Sequence, residues 1–207
     1  TLDAAWALTG GWAAALAMLL RHGEATPAAE RGIDSLAAEA WRMLPESARA
    51  HLLATCVLQT ITPQSAVSLS GSPEAPETFK ALAADCYLVS QTESPALAWR
   101  VHPLWRTYLL SLAGDRLGSA GFSDLQRRAA GLARGEGRLD EAAGLYIEAG
   151  DAAGLRELIS VAARDCLREG RHLQLLRWLA ALPAEERADP WLSYWEGVAR
   201  MPVDPKQ

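Results

Sequence analysis

The chain has 207 residues, half of them apolar and 22% charged, with a formal net charge of -5, so it is globular and long enough for two or three small units, each with its own core. No apolar run reaches the roughly 20 residues that a membrane span needs, and the acidic balance argues against a general nucleic-acid coat. Cys56, Cys86 and Cys166 are odd in number and lack metal-type spacing, which favours reduced core thiols in a soluble, cytoplasmic protein over a disulfide framework.

The first segment, residues 1–43, is Ala-rich and helical in pattern. A Gly10-Gly11 break precedes Trp12, Leu16, Leu19 and Leu20, and a second helix over about Asp34 to Met43 places Leu36, Ala40 and Met43 on one face. Residues 44–115 carry the pattern of a winged helix. Leu44-Pro45-Glu46 opens a helix whose face holds Leu52, Leu53, Cys56 and Val57. Thr62-Pro63 supplies a cap and a first-turn proline to a short helix ending at Gly71, and Pro76-Glu77 opens a third with Phe79, Leu82 and Ala83. Two alternating runs, Tyr87 to Thr92 and Leu97 to Val101, flank a Glu93-Ser94-Pro95 turn and predict a β-hairpin. Pro103 suits the first position of a following helix. The strand parity places Leu97, Trp99 and Val101 toward the core and turns His102 away from it.

Residues 116–207 read as successive antiparallel helices beyond a boundary at Gly114 to Phe122: about Ser123 to Arg134, Leu139 to Ala149, Ala152 to Glu169, Leu173 to Leu182, and one around Trp191. Glu136-Gly137-Arg138 recurs as Glu169-Gly170-Arg171, 33 residues on. A period near 34 belongs to tetratricopeptide-type helix pairs, in which each pair needs a neighbour to bury its apolar face. The fold class expected is therefore mainly α: a helical segment, a winged helix with one hairpin, then helical repeats.

Taken in order, Gly10-Gly11-Trp12-Ala13-Ala14-Ala15-Leu16, the Leu44-Pro45-Glu46 helix, the run from Val101 to Leu110 and the GRLDEAAGLYIEAGD stretch from Gly137 resemble the middle of the MalT-like, LuxR-type transcriptional regulators, signal-transducing ATPases of the STAND class. That resemblance implies the end of an ATPase lid, a winged helix and the first sensor helices, with an ATPase core before them and a DNA-binding helix-turn-helix far beyond. Thr1 and the Pro202 to Gln207 end read, in this light, as those of an excised fragment. The resemblance also implies ATP or ADP as cofactor of the parent protein and none in the fragment. Its implied partners are the intramolecular ATPase domain and an unknown small-molecule or protein inducer at the repeats.

Val101-His102-Pro103-Leu104-Trp105-Arg106 is similar to the Met-His-Asp signature of related resistance-type ATPases, whose His contacts the β-phosphate of ADP. With Val for Met and Pro for Asp, only His102 carries over. A neutral imidazole beside a helix N-terminus suits a phosphate oxygen, whereas a junction His bonded to a nearby carbonyl is the structural alternative.

Other chemistry is excluded or weak. His22, His51 and His172 lie far apart without ligand partners, so no metal site is expected. No G-x-x-x-x-G-K-S/T loop occurs, Asp3, Asp34, Glu136, Asp140 and Glu141 make no acid/base pair, and no Ser or Cys has a neighbouring base, so no catalytic residue is expected. Gly11-Trp12-Ala13 falls where relatives show Gly-Leu-Pro near the adenine; a helix start is the alternative reading. Trp178, Trp191, Tyr194 and Trp195 either line a sensor groove or pack between helices. The alternatives to a regulatory ATPase module are a helical-repeat adaptor for protein partners and a DNA-binding winged helix. Against the last stand four basic residues (Arg49, Lys80, Arg100, Arg106) and six acidic ones (Glu46, Glu74, Glu77, Asp85, Glu93, Asp115) between Leu44 and Asp115. Severing the array near Trp191 is expected to expose Trp191, Leu192, Trp195 and Val198 and to favour self-association.

Overall fold

Thr62 and Gly71 punctuate the helices of the first half as their chemistry requires. In the computed structural model, which describes residues 37–85, 88–92 and 97–201, the Thr62 hydroxyl accepts from the Ser65 N–H at 3.0 Å, and the Ser65 hydroxyl accepts from the Thr62 N–H at 2.9 Å. This reciprocal capping box starts α2 (Pro63–Ser70). Gly71 stops it at φ 70°, donating to the Val67 carbonyl at 2.8 Å. Ahead of α2 lies α1 (Glu46–Thr55), and after it α3 (Ala75–Asp85), which brings Phe79 into the core.

The described residues divide into two units, Thr1–Gly121 and Phe122–Gln207. In the first, β1 (Val89–Gln91) and β2 (Trp99–Val101) pair antiparallel, with Val89 opposite Val101 and Gln91 opposite Trp99. The Trp99 backbone also exchanges two hydrogen bonds with Ile61, at 2.8 and 2.9 Å, on the other side of β2. A two-stranded hairpin is marginal alone. Here Ile61 and a core of Leu52, Leu58, Phe79, Trp99, Trp105 and Leu109 hold it, all fully buried, with Phe79 stacked on Trp99 at 5.5 Å. The hairpin turn expected at Glu93-Ser94-Pro95 lies outside the described residues, as do Cys86, Tyr87 and residues 1–36 with their Gly10-Gly11 break, His22 and Leu36.

Residues 37–43 are helical, but their buried side is Ala37 and Trp41, an i, i+4 pair, and Met43 is 82% exposed. The expected Ala40–Met43 face is corrected: the large ring of Trp41 takes the inward position, with the guanidinium groups of Arg49 and Arg116 at 5.9 and 5.6 Å from its ring centre. The boundary expected at Gly114 to Phe122 falls where the chain divides into its two units, between Gly121 and Phe122. One helical run, α4 (Pro103–Gly135), passes through it, broken at Gly118 alone, where φ 66° and ψ 174° suit only glycine.

In the second unit, the end of α4 is followed by α5 (Leu139–Glu148), α6 (Ala152–Arg168), α7 (His172–Ala181), a single turn α8 (Ala184–Arg187) and α9 (Pro190–Arg200). The 33-residue period is physical. Arg138 N–H donates to the Ala133 carbonyl at 2.8 Å after Gly137 at φ 77°. Arg171 N–H likewise donates to the Cys166 carbonyl at 2.7 Å after Gly170 at φ 74°. Buried residues follow the same offset: Leu125 and Leu158, Gln126 and Ile159, Ala129 and Ala162, Ala130 and Ala163, Ala133 and Cys166. Where α6 crosses α5, a Cβ on Gly154 would stand 2.5 Å from the Tyr146 ring, so only glycine permits that approach. Among the described residues the chain is thus mostly helical with one small antiparallel sheet, as the pattern predicts, and no described helix is long and apolar enough to cross a membrane.

Candidate functional site at the wing-to-helix junction

His102 closes the hairpin and opens α4. Its N–H donates to the Leu88 carbonyl at 2.8 Å, continuing the β-ladder, and its own carbonyl accepts from Arg106 N–H at 2.8 Å, the first helical bond of α4. Pro103, lacking an N–H, sits at the first helical position without loss. The first-turn N–H groups of Leu104 and Trp105 have no intrahelical partner by geometry, and the helix dipole adds partial positive charge there.

Arg106 fastens this junction to α1. Its Nη2 donates to the Val57 carbonyl at 2.7 Å and its Nε to the Leu58 carbonyl at 3.3 Å, just past the α1 terminus. These bonds satisfy carbonyls that would otherwise be orphaned at a helix end. Sequence reading gave Arg106 only a place in a motif; its placement four residues after His102, one helical turn along, was the available signal. Beside it, burial pushes the Cys56 thiol up to about 12, against the pull of the Arg106 charge.

A cleft of about 640 Å³ opens here, lined by Gln59, Ser90, Arg100, His102, Arg106 and Thr107 among others. Arg100 projects into solvent, while His102 is half-buried with both ring nitrogens shielded from water. The ring turned from the core by strand parity thus lies in the cleft wall rather than in open solvent. Strand alternation holds across Trp99, Arg100 and Val101, which are buried, exposed and buried, but Ala98 is only 4% exposed, and parity does not extend past the three paired residues. The lining fits a phosphate: one cationic side chain in solvent, a second on the wall, a helix N-terminus and an imidazole. Among the described residues its lining holds no Phe, Tyr or Trp ring on which a purine could stack.

The other candidates separate. His51 is buried and its Nδ1 lies 3.0 Å from the Thr78 hydroxyl, and no metal-binding cluster of His, Cys, Asp or Glu exists among the described residues. Cys56 and Cys166 are buried free thiols. Glu136 and Glu141 both pair with Arg138, as structural ions at the repeat turn. Trp178 and Trp195 are core residues, whereas Trp191 and Tyr194 are exposed. Of the four aromatics, Trp191 alone lines a cleft of about 690 Å³ in the second unit, shared with Tyr146, Gly154 and Arg156. Gly11, Trp12, Asp3 and Asp34 lie outside the described residues.

Comparison with known families adds one match. The family described as the MalT winged helix domain matches residues 37–120, which span helical residues 37–43, the three-helix core, the hairpin and α4 to beyond Gly118. This region is MalT-like, and its match supports a role in transcription regulation. No curated protein matches the chain.

Proposed function

We propose that the chain is a regulatory, non-catalytic part of a MalT-like ATP-dependent transcriptional regulator, in which the winged helix couples the nucleotide state of a neighbouring ATPase domain to an inducer-sensing helical repeat. The observation that carries this reading is the family match over residues 37–120, joined to a wing whose end presents His102 at a helix N-terminus. A bound ADP phosphate enters the cleft between Arg100 and the first turn of α4, the His102 ring turns from its shielded position to donate to it, and Arg106 transmits the change to the end of α1. Loss of the phosphate contact releases the resting arrangement. Partners are the ATPase domain and the inducer; the fragment itself turns over no ATP.

A direct role in DNA binding is not favoured. The single lysine of α3, the helix that would enter a groove, is 2.6 Å from Glu77 in an ion pair, leaving little to hold phosphates or base edges. Replacing His102 with Ala in the full regulator tests the proposal: transcription without inducer should rise while the folding of this region is unchanged. Wild-type basal activity combined with a less stable winged helix would make His102 a structural junction residue instead.

A further inference from the structure

The two ends of α4 are anchored and its middle is not. Trp105, Leu109 and Ala113 recur every four residues and are buried in the first unit, and Leu125, Ala129, Ala130 and Ala133 are buried in the second. Between Ala113 and Leu125 no residue is buried, a gap of about three turns. α6, by contrast, buries Leu155, Leu158, Ala162 and Cys166, one for each turn. A helical stretch without a buried face bridges solvent between domains. On the first unit's side Arg116 reaches back to Trp41, its guanidinium 5.6 Å from the ring centre. Two residues on, Gly118 leaves helical geometry.

We infer that Gly118 is the pivot of a two-state hinge in which α4 is broken in one state and continuous in the other. Its φ of 66° and ψ of 174° lie in a region that glycine alone occupies without strain. Glycine takes up helical angles as well, so rotation at one residue converts one state into the other. Packing does not choose between them, since a Cβ on Gly118 would meet nothing within 4 Å. Glycine is required there by the backbone conformation and not by a neighbour. Hydrogen bonding chooses weakly: residues 115–120 are all exposed, and water satisfies the backbone groups that a break releases. The continuous helix regains those bonds but orders a glycine, the poorest helix former after proline. Opposing terms this small leave both states populated. The pivot stands three residues before the division between the units at Gly121 and Phe122, where the winged helix gives way to the repeats. A ligand or partner that prefers one state therefore shifts the population by the ratio of its affinities for the two. The inference rests on α4 itself and not on the nucleotide reading.

Double electron–electron resonance on the 207-residue chain tests it, with nitroxides at Ser111→Cys and Gly131→Cys, exposed α4 positions on either side of Gly118. The chain carries Cys86→Ser, while Cys56 and Cys166 are buried and escape labelling. An unbroken helix places the two labelled backbones about 30 Å apart. With Gly118 intact, that population should appear together with a second, displaced one. Gly118→Ala strains the broken state and favours the helix, so it should deplete the second population by about tenfold or more. Gly114→Ala makes the same change one turn earlier, where a Cβ also meets nothing within 4 Å, and should leave both populations in place. A single narrow distance with Gly118 intact overturns the inference without recourse to a variant. Two populations that Gly118→Ala leaves unchanged, or that Gly114→Ala depletes equally, overturn it as well.

Discussion

Cys56 is fully buried beneath the α1 terminus, and its Sγ lies 3.2 Å from the Leu53 carbonyl. Burial disfavours its thiolate, and the nearby Arg106 charge does not compensate, so the folded-state value rises from 9.0 to about 12. The sign follows by linkage. A raised folded value makes the contribution to stability complete below pH 9, and that contribution is lost as the pH climbs toward 12. Because the thiolate is the reactive species, Cys56 should resist disulfide-exchange reagents at pH 8 in the native chain and react fully once denatured. Labelling of the native protein at the denatured rate would contradict this burial. Among the described residues the Trp99 and Trp105 indole N–H groups also sit in this core without an acceptor. The area that two such rings remove from water offsets the cost.

At the scale of elements, start and stop signals and periodicity carried most of the fold. Thr62-Pro63, Gly71 and Pro103 were legible because each sets one local hydrogen bond or one φ. The Glu-Gly-Arg repeat was legible because it marks a turn whose bonds recur. Thr62→Ala should remove the bond from the Ser65 N–H to the Thr62 hydroxyl while leaving the one from the Thr62 N–H to Ser65, and lower stability by about 1 kcal/mol, readable in urea denaturation; no change would mean that Pro63 and the Ser65 hydroxyl suffice to start α2. What stayed hidden depends on tertiary neighbours. Periodicity could not choose between the Ala40–Met43 and Ala37–Trp41 sides of the helix ending at 43, because the choice rests on the size of Trp41 and on two arginines distant in sequence. Nor could composition show that three glycines between 114 and 121 leave only one break, at Gly118. The same limit applies at α9. Expected exposure of Leu192 and Trp195 is corrected by their burial against α7 and α6, while that of Trp191 stands, since pattern marks apolar positions without saying which neighbour covers them. For α3 the acidic balance of the region and the Lys80–Glu77 pair set an outcome: duplex DNA should not bind detectably at physiological salt, and a tight shift that weakens steeply with salt would contradict that.

Across the whole molecule, a MalT-like winged helix over residues 37–120 precedes a helical unit with a 33-residue period, an order that suits a relay between a nucleotide-bearing domain and a sensor. The candidate site was half legible in the sequence: His102 and Pro103 were visible as a motif, but the Arg106 bonds to Val57 and Leu58 and the shielding of the His102 nitrogens depend on α1 and the wing meeting in space. One hydrogen bond to a charged phosphate contributes about 1.5–3 kcal/mol, roughly a ten- to hundredfold effect on the resting equilibrium. The most direct measurement is the rate at which fluorescent ADP leaves the full-length regulator, chased with excess unlabelled ADP. His102→Ala should accelerate that release by about tenfold or more, and release at the wild-type rate would contradict the proposed coupling between the winged helix and the nucleotide.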